Sequence, residues 1–178
     1  MTGPASRFEL REPSFELAAS FERMRDAVIA AGEDAWSGHG TEIARKDVKG
    51  YIRAAHDWAQ GKNVPENWVA TSRFWIVENR EVVGELEVRH HLLARLRVMG
   101  GHIGYHTPLH RGKGVATYAL REGLKILADM GVREAIITCA DSNAASARVI
   151  EKCGGIRAQD AVVAGFERRR RYVVPLVG

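Results

Sequence analysis

The order of periodic segments predicts an α/β or α+β domain, a mixed sheet flanked by helices. Two observations carry this reading. Apolar residues recur first at helical spacing and then at a spacing of two. Beyond the two-spaced segments, strand-like and helix-like stretches alternate to the end of the chain. No internal repeat or linker divides the 178 residues, so residues 1–178 read as one domain. Within it we separate a variable helical part over about 1–72, a core over about 73–155 and closing strands over 156–178. A chain of this length buries roughly 70% of the surface its unfolded form exposes.

Each element has its own signal. Over residues 15–31, Leu17, Phe21, Met24, Val28 and Ile29 form a helical stripe, and Gly32 supplies a stop. A second helix is expected from about 41 to 60, with Gly50 as a weak point and Gly61 as terminator. The period then changes: residues 74–77 and 82–88 read as a hairpin turning around 78–81. Residues 91–99 connect to a short strand over 102–106, ended by Thr107-Pro108. A helix follows over about 113–130, its stripe made by Val115, Ala116, Ala119, Leu120, Leu124 and Leu127. Residues 135–139 form a buried strand. Asp141-Ser142-Asn143 can cap a helix that reaches Cys153 and stops at Gly154-Gly155. One or two strands close the chain.

Composition excludes several classes. With 46% hydrophobic and 27% charged residues the chain is an ordinary globular one. No apolar run approaches the roughly 18 residues that a membrane span needs, and no secretory signal is visible at the start. Cys139 and Cys153, the only two cysteines, make no metal-like spacing. They point to a reduced, cytoplasmic protein. The net charge of +4 owes much to Arg168, Arg169, Arg170 and Arg171. That run leads into Tyr172-Val173-Val174, so we read it as a solvated strand face or an acidic-substrate contact. Nucleic-acid binding would want basic residues interleaved with aromatics.

The informative stretch is a strand, a turn, a glycine-rich loop and a helix, over residues 102–117. Gly112 and Gly114 let backbone amides approach a ligand closely. The helix beginning there adds unpaired amides and the positive end of its dipole, a site for a pyrophosphate, with Arg111 and Lys113 adding charge. The Walker spacing of two glycines five apart before Lys-Ser/Thr is absent. The dinucleotide spacing fails because Thr117 stands where its last glycine would be. What remains is Arg-x-x-Gly-x-Ala, Arg111 to Ala116, just after a strand ending in proline.

That pattern resembles the coenzyme-A signature of the GNAT superfamily of N-acyltransferases, Arg/Gln-x-x-Gly-x-Gly/Ala. The likeness extends to Asn143, Ser146 and Gly154-Gly155, so it covers about residues 74–155. Within the superfamily, Gly100 to Tyr105 and Ile136 to Cys139 are similar to a group of bacterial predicted acetyltransferases. The resemblance implies a mostly antiparallel twisted sheet, acetyl-CoA as co-substrate, no metal, an amine acceptor, and room for a homodimer. It implies that amides of Gly112, Lys113, Gly114, Val115, Ala116 and Thr117 hold the pyrophosphate, with Arg111 beside them. Backbone groups of Gly104, Tyr105 and His106 would pair with pantetheine as with an added strand. Asn143 would bond the pantetheine arm, with Ser146 nearby.

Direct attack of an amine on a thioester sets three tasks: deprotonate the amine, stabilise the oxyanion, protonate the departing thiolate. The sequence departs from the family at the third, since Ile150 occupies the position where many members carry a tyrosine. A thiol of ordinary pKa near 8.5 leaves readily, so that loss need not abolish turnover; Tyr105, Tyr172 or water could supply the proton. For the base, Glu85 and Glu87 lie on one strand face, and Glu87 is the candidate. His90, His102 and His106 titrate in a usable range, though packing or hydrogen bonding explains each of them better. Trp36, Trp58, Trp68 and Trp75 read as core, as do both cysteines, with no base implied beside either for covalent catalysis. The alternative to an enzyme is a module on the same fold that binds acyl-CoA without turnover.

Overall fold

The computed structural model describes residues 6–33, 42–108 and 112–176. In chain order its elements are β1 (Glu9–Arg11), α1 (Ala18–Ala30), α2 (Glu42–Lys46), α3 (Val48–Ala59), β2 (Thr71–Glu78), β3 (Glu81–Arg89) and α4 (Ala94–Val98). Then follow β4 (Ile103–His106), α5 (Val115–Asp129), β5 (Glu134–Ala140), α6 (Ala144–Lys152), β6 (Ile156–Arg157) and β7 (Arg169–Pro175).

The β2–β3 hairpin turns on Asn79 and Arg80, both left-handed, with φ of 50° and 65°. Such a turn matches the twist of the strands it joins. A bulge between Ile76 and Val77 shifts the register by one residue. Side chains on a strand alternate, so this shift decides which residues face which layer. It sends Leu86 and Val88 into the core with α5 and turns Glu85 and Glu87 toward α1 and α3.

The strands form two antiparallel sheets, β1-β2-β3-β4 and β5-β7-β6. A single bridge, Gly101 to Ile137, joins them. One core lies between the first sheet and α5 and continues under the second sheet to Ile150 and Tyr172. A second core packs Phe21, Met24, Tyr51 and Trp58 of α1 and α3 against Trp75, Val77 and Val82. Phe21 stacks on Trp75 at 4.7 Å between ring centroids.

The expected second helix is split. Asp47 Oδ1 accepts the Gly50 N–H at 2.8 Å and caps α3, as a short acidic side chain does at a helix start. A Cβ on Gly50 would collide with the Asp47 carboxylate, so this glycine makes room for the cap rather than weakening a longer helix. Thr41, its expected first residue, lies outside the described residues. Over α1 and the residues leading into it, Phe15 and Ile29 are exposed and Leu17, Phe21, Met24 and Val28 make the buried stripe. The strand β1 and the short helix α4 were not expected. Each has too few residues to show a period. No described helix is long and apolar enough to cross a membrane, and both cysteines are free.

Candidate active site

Beyond the Gly101–Ile137 bridge, β4 and β5 stop pairing, and a cleft of roughly 670 Å³ opens between them. One side of its junction is held by His102. The His102 N–H donates to Ile136 O at 2.7 Å, and the Ile136 N–H donates back to His102 Nδ1 at 2.9 Å. Thr138 Oγ1 accepts the Gly100 N–H at 3.0 Å beside it. Burial, with Arg97 and Arg89 nearby, pushes the imidazole pKa down to about 4, so it stays neutral and keeps Nδ1 as an acceptor. His102 is thus a structural clasp.

The start of α5 faces the cleft. Gly112 and Gly114 have φ of 78° and 86°, and nothing lies where their Cβ atoms would be. Among the described residues no side chain caps this helix, which leaves its first amides available to a ligand. Gly112, Gly114, Val115, Ala116 and Thr117 line one end of the cleft, Gly104, Tyr105 and His106 its wall, Asn143 and Ser146 the facing side. These parts fit a long ligand with a pyrophosphate at the helix start and an extended arm along β4. Lys113 is exposed and stands off the cleft lining, and Arg111 lies outside the described residues.

Asn143 caps α6 by accepting the Ser146 N–H on Oδ1 at 2.9 Å, which leaves Nδ2 as the group able to meet a ligand. Ser146 Oγ lies 2.7 Å from the Tyr105 hydroxyl. Burial pushes the Tyr105 phenol up to about 12, against the hydrogen bond to Ser146, which favours ionisation. Tyr105 therefore enters any reaction protonated. Tyr172 instead donates to Glu151 at 2.9 Å, inside the fold and away from the cleft lining. Ile150 is fully buried beside it in the core.

On the other face of β3 the carboxylates are committed. Tyr51 donates to Glu85 at 2.6 Å. Glu87 pairs with Arg89 at 2.9 Å and with Arg73 at 3.4 Å. Burial raises the Glu87 pKa, but Arg73 and Arg89 outweigh it and hold the carboxyl below its usual range. The Arg73 guanidinium also lies over the rings of Trp58 and Tyr51, at 5.7 and 5.9 Å. Neither Glu85 nor Glu87 lines the cleft, although Arg89 does.

His90 bonds Ser72 at 2.8 Å, off the cleft. His106 does line it, with Nε2 4.0 Å from Glu33 Oε2. Glu33 was not singled out by sequence: it follows the helix stop Gly32 and carries no motif. Of the arginine run, Arg168 and Arg170 pair with Asp141 at 2.9 and 2.8 Å, and Arg169 lines the cleft. Trp58 and Trp75 are buried, Trp68 packs against Trp58 at 5.9 Å, and Trp36 lies outside the described residues.

The sequence model of the acetyltransferase (GNAT) domain matches residues 7–156. This chain belongs to the GNAT acetyltransferase family. The match extends the resemblance back through the N-terminal helices to β1. Solved structures agree on the fold. RimL, described as a ribosomal L7/L12 α-N-protein acetyltransferase in complex with coenzyme A, has a TM-score of 0.72 at 15% identity, covering 97% of this chain and 96% of that one. RimJ of Mycobacterium smegmatis, in complex with CoA-disulfide, gives 0.70 at 20% identity, covering 94% and 81%. The microcin C7 self-immunity acetyltransferase MccE, in complex with acetyl-CoA and AMP, gives 0.68 at 16% identity, covering 94% and 92%. No curated protein matches the sequence.

The GNAT frame sorts the cleft's titratable groups by task. Burial raises both the Tyr105 phenol and the Cys139 thiol, so both are protonated in the cleft lining. Lys152, Arg89 and Arg169 add positive charge to the lining. Glu33 and His106 are the carboxylate and the imidazole among the described lining residues.

Proposed function

We propose that this GNAT acetyltransferase transfers an acetyl group from acetyl-CoA to a primary amine on a small molecule, peptide or protein, by direct attack on the thioester. The observation that carries the reading is continuity. One cleft joins the open amides of α5, the edge of β4 and the Asn143–Ser146 start of α6. Bound acetyl-CoA supplies the thioester carbonyl. Amides of Gly112 to Thr117 bind its pyrophosphate, the β4 backbone aligns its arm, and the Asn143 carboxamide orients that arm from the other side. A β4 backbone N–H meets the oxyanion.

Tyr105 gives its proton to the departing sulfur, and the Ser146 hydroxyl holds the phenol in place. Tyr105 thus does the work of the tyrosine missing at Ile150, from β4 rather than α6. We assign Glu87 a positioning role, since its two arginine partners keep it ionised and brace β3 behind the cleft. Acceptors of the structural neighbours bracket the class: a ribosomal-protein α-amine for RimL and, for another similar structure, spermidine. We place the enzyme in the cytoplasm, where its two free thiols would stay reduced.

The test is the thermal midpoint with acetyl-CoA, with NAD and ATP as controls, followed by thiol release in an amine screen. Ligand at 100 times Kd stabilises by about 2.7 kcal/mol, a rise of several degrees for a chain this long. A selective rise supports the cofactor, and no rise, or an equal one with ATP, removes it. Ile150 at the usual acid position favours a second reading, an acyl-CoA-binding module. Acetyl-CoA binding with no amine-dependent thiol release would select that reading.

A further inference from the structure

We infer that His106, backed by Glu33 and Glu85, takes the proton from the acceptor amine. The inference rests on the acetyltransferase reading above and deepens it. Residues 105 and 106 are neighbours on one strand, so their side chains leave opposite faces of β4. Tyr105 points to the α6 side, where it meets Ser146. His106 points to the α1 side, opposite Glu85 in the β3–β4 register. The carbonyl aligned along β4 would then have a donor on one face and an acceptor on the other.

Three observations select His106. It lines the cleft, whereas Glu85, Glu87, His90 and His102 do not. The other groups on its face are placed to stabilise an imidazolium. Glu33, which follows α1, has Oε2 4.0 Å from Nε2, and Glu85 lies opposite on β3. Tyr51 of α3 holds Glu85, while Glu87 farther along the face pairs with Arg73 and Arg89. Finally, histidine is the side chain most often used to move a proton in a positioned site.

The step balances. The acceptor ammonium passes a proton to His106 Nε2, and the freed amine nitrogen forms its bond to the acetyl carbon and sheds its second proton to solvent. The carbon–sulfur bond breaks, and the thiolate takes the Tyr105 proton. The imidazolium then releases its proton to solvent, and Tyr105 regains one through Ser146. An alkyl α-amine, with a pKa of about 7.7–8.0, is mostly protonated at pH 7 and needs the acceptor. Hydroxylamine is already unprotonated there and needs it far less.

The experiment compares these two nucleophiles, the peptide Ser-Ala-Ala-Ala amide and hydroxylamine, by acetyl-CoA-dependent thiol release in wild type, His106→Ala and Glu33→Gln. His106→Ala should lose about 10²–10⁴-fold in kcat/KM with the peptide and far less with hydroxylamine. Added imidazole should restore part of the peptide rate. Glu33→Gln should show the same bias more weakly. The rise in thermal midpoint with acetyl-CoA should persist in both variants, which shows that the fold and cofactor site are intact. Equal losses with both nucleophiles, or a wild-type peptide rate in His106→Ala, overturns the role of His106 and leaves the acetyltransferase reading standing. Wild type that binds acetyl-CoA but turns over neither nucleophile overturns both.

Discussion

The two faces of the first sheet are built on different principles. Toward α5, Ile76, Leu86, Val88 and Ile103 meet Leu120, Leu124 and Leu127 in a dry, apolar core. Toward α1 and α3 the sheet is apolar only at one end, around Trp75, Val77 and Val82. At the end nearest the cleft it carries Arg73, Glu85, Glu87 and Arg89, of which Arg73 and Glu85 are almost fully buried. An apolar face needs only volume and shape. An ionic face is stable only while every partner is present, because a single unmatched buried charge costs several kcal/mol. The apolar face is held by packing, and the ionic face by paired charges and a hydrogen bond.

That contrast can be tested from its largest consequence down. Tyr105→Phe keeps the apolar body of the side chain and removes its proton. We expect kcat to fall by about 10²–10⁴-fold, with the rise in thermal midpoint on adding acetyl-CoA unchanged. A rate near wild type would pass the acid role to water. Arg73→Met strands Glu87 with one partner, and we expect a loss of about 3–5 kcal/mol in denaturant unfolding. The double change Arg73→Met with Glu87→Met should recover much of it, which no merely additive packing effect would do. On the apolar face Leu120→Ala should cost about 2–5 kcal/mol through transfer and cavity terms, and a second apolar truncation far from it should simply add.

The clasp at His102 predicts a pH effect. Its folded pKa, about 4, lies below the ordinary unfolded value near 6.5. Between these values the unfolded chain binds the extra proton, so stability rises with pH across the window. Cooling of the curve toward acid should reach about 1.4 kcal/mol per pH unit at its steepest. His102→Asn, which keeps an acceptor for the Ile136 N–H but does not titrate, should flatten the profile between pH 6.5 and 4. The smallest expected effect is Asp47→Ala, about 1 kcal/mol for the lost α3 cap. It should be read by the same unfolding measurement and leave acetyl-CoA binding alone.

Much of the backbone around the starts of α5 and α6 was legible before any coordinates, because its signals are local. Gly112 and Gly114 mark left-handed backbone next to a helix start, Asn143 marks a cap, and periods of two and 3.6 mark the hairpin and α5. Each depends on residues within a turn or two of one another. The acceptor side was not legible in this way. Glu33 and His106 are far apart in the chain, and Tyr105 and Ser146 meet across 41 residues. Glu87 read as a candidate base until its two arginines were seen beside it.

By itself, then, the sequence determined the order of elements, the glycine-rich entry to α5 and the family, since backbone conformation and apolar period are written locally. Only the tertiary structure decided which face Glu85 and Glu87 occupy, because one bulge at Ile76 and Val77 resets the alternation of the strand. It alone decided that Ile150 is core, that the half-buried Tyr105 meets Ser146, and that an imidazole lies 4.0 Å from a carboxylate in the cleft lining. Charge, burial and proton affinity are properties of surroundings, and those surroundings are assembled from distant parts of the chain.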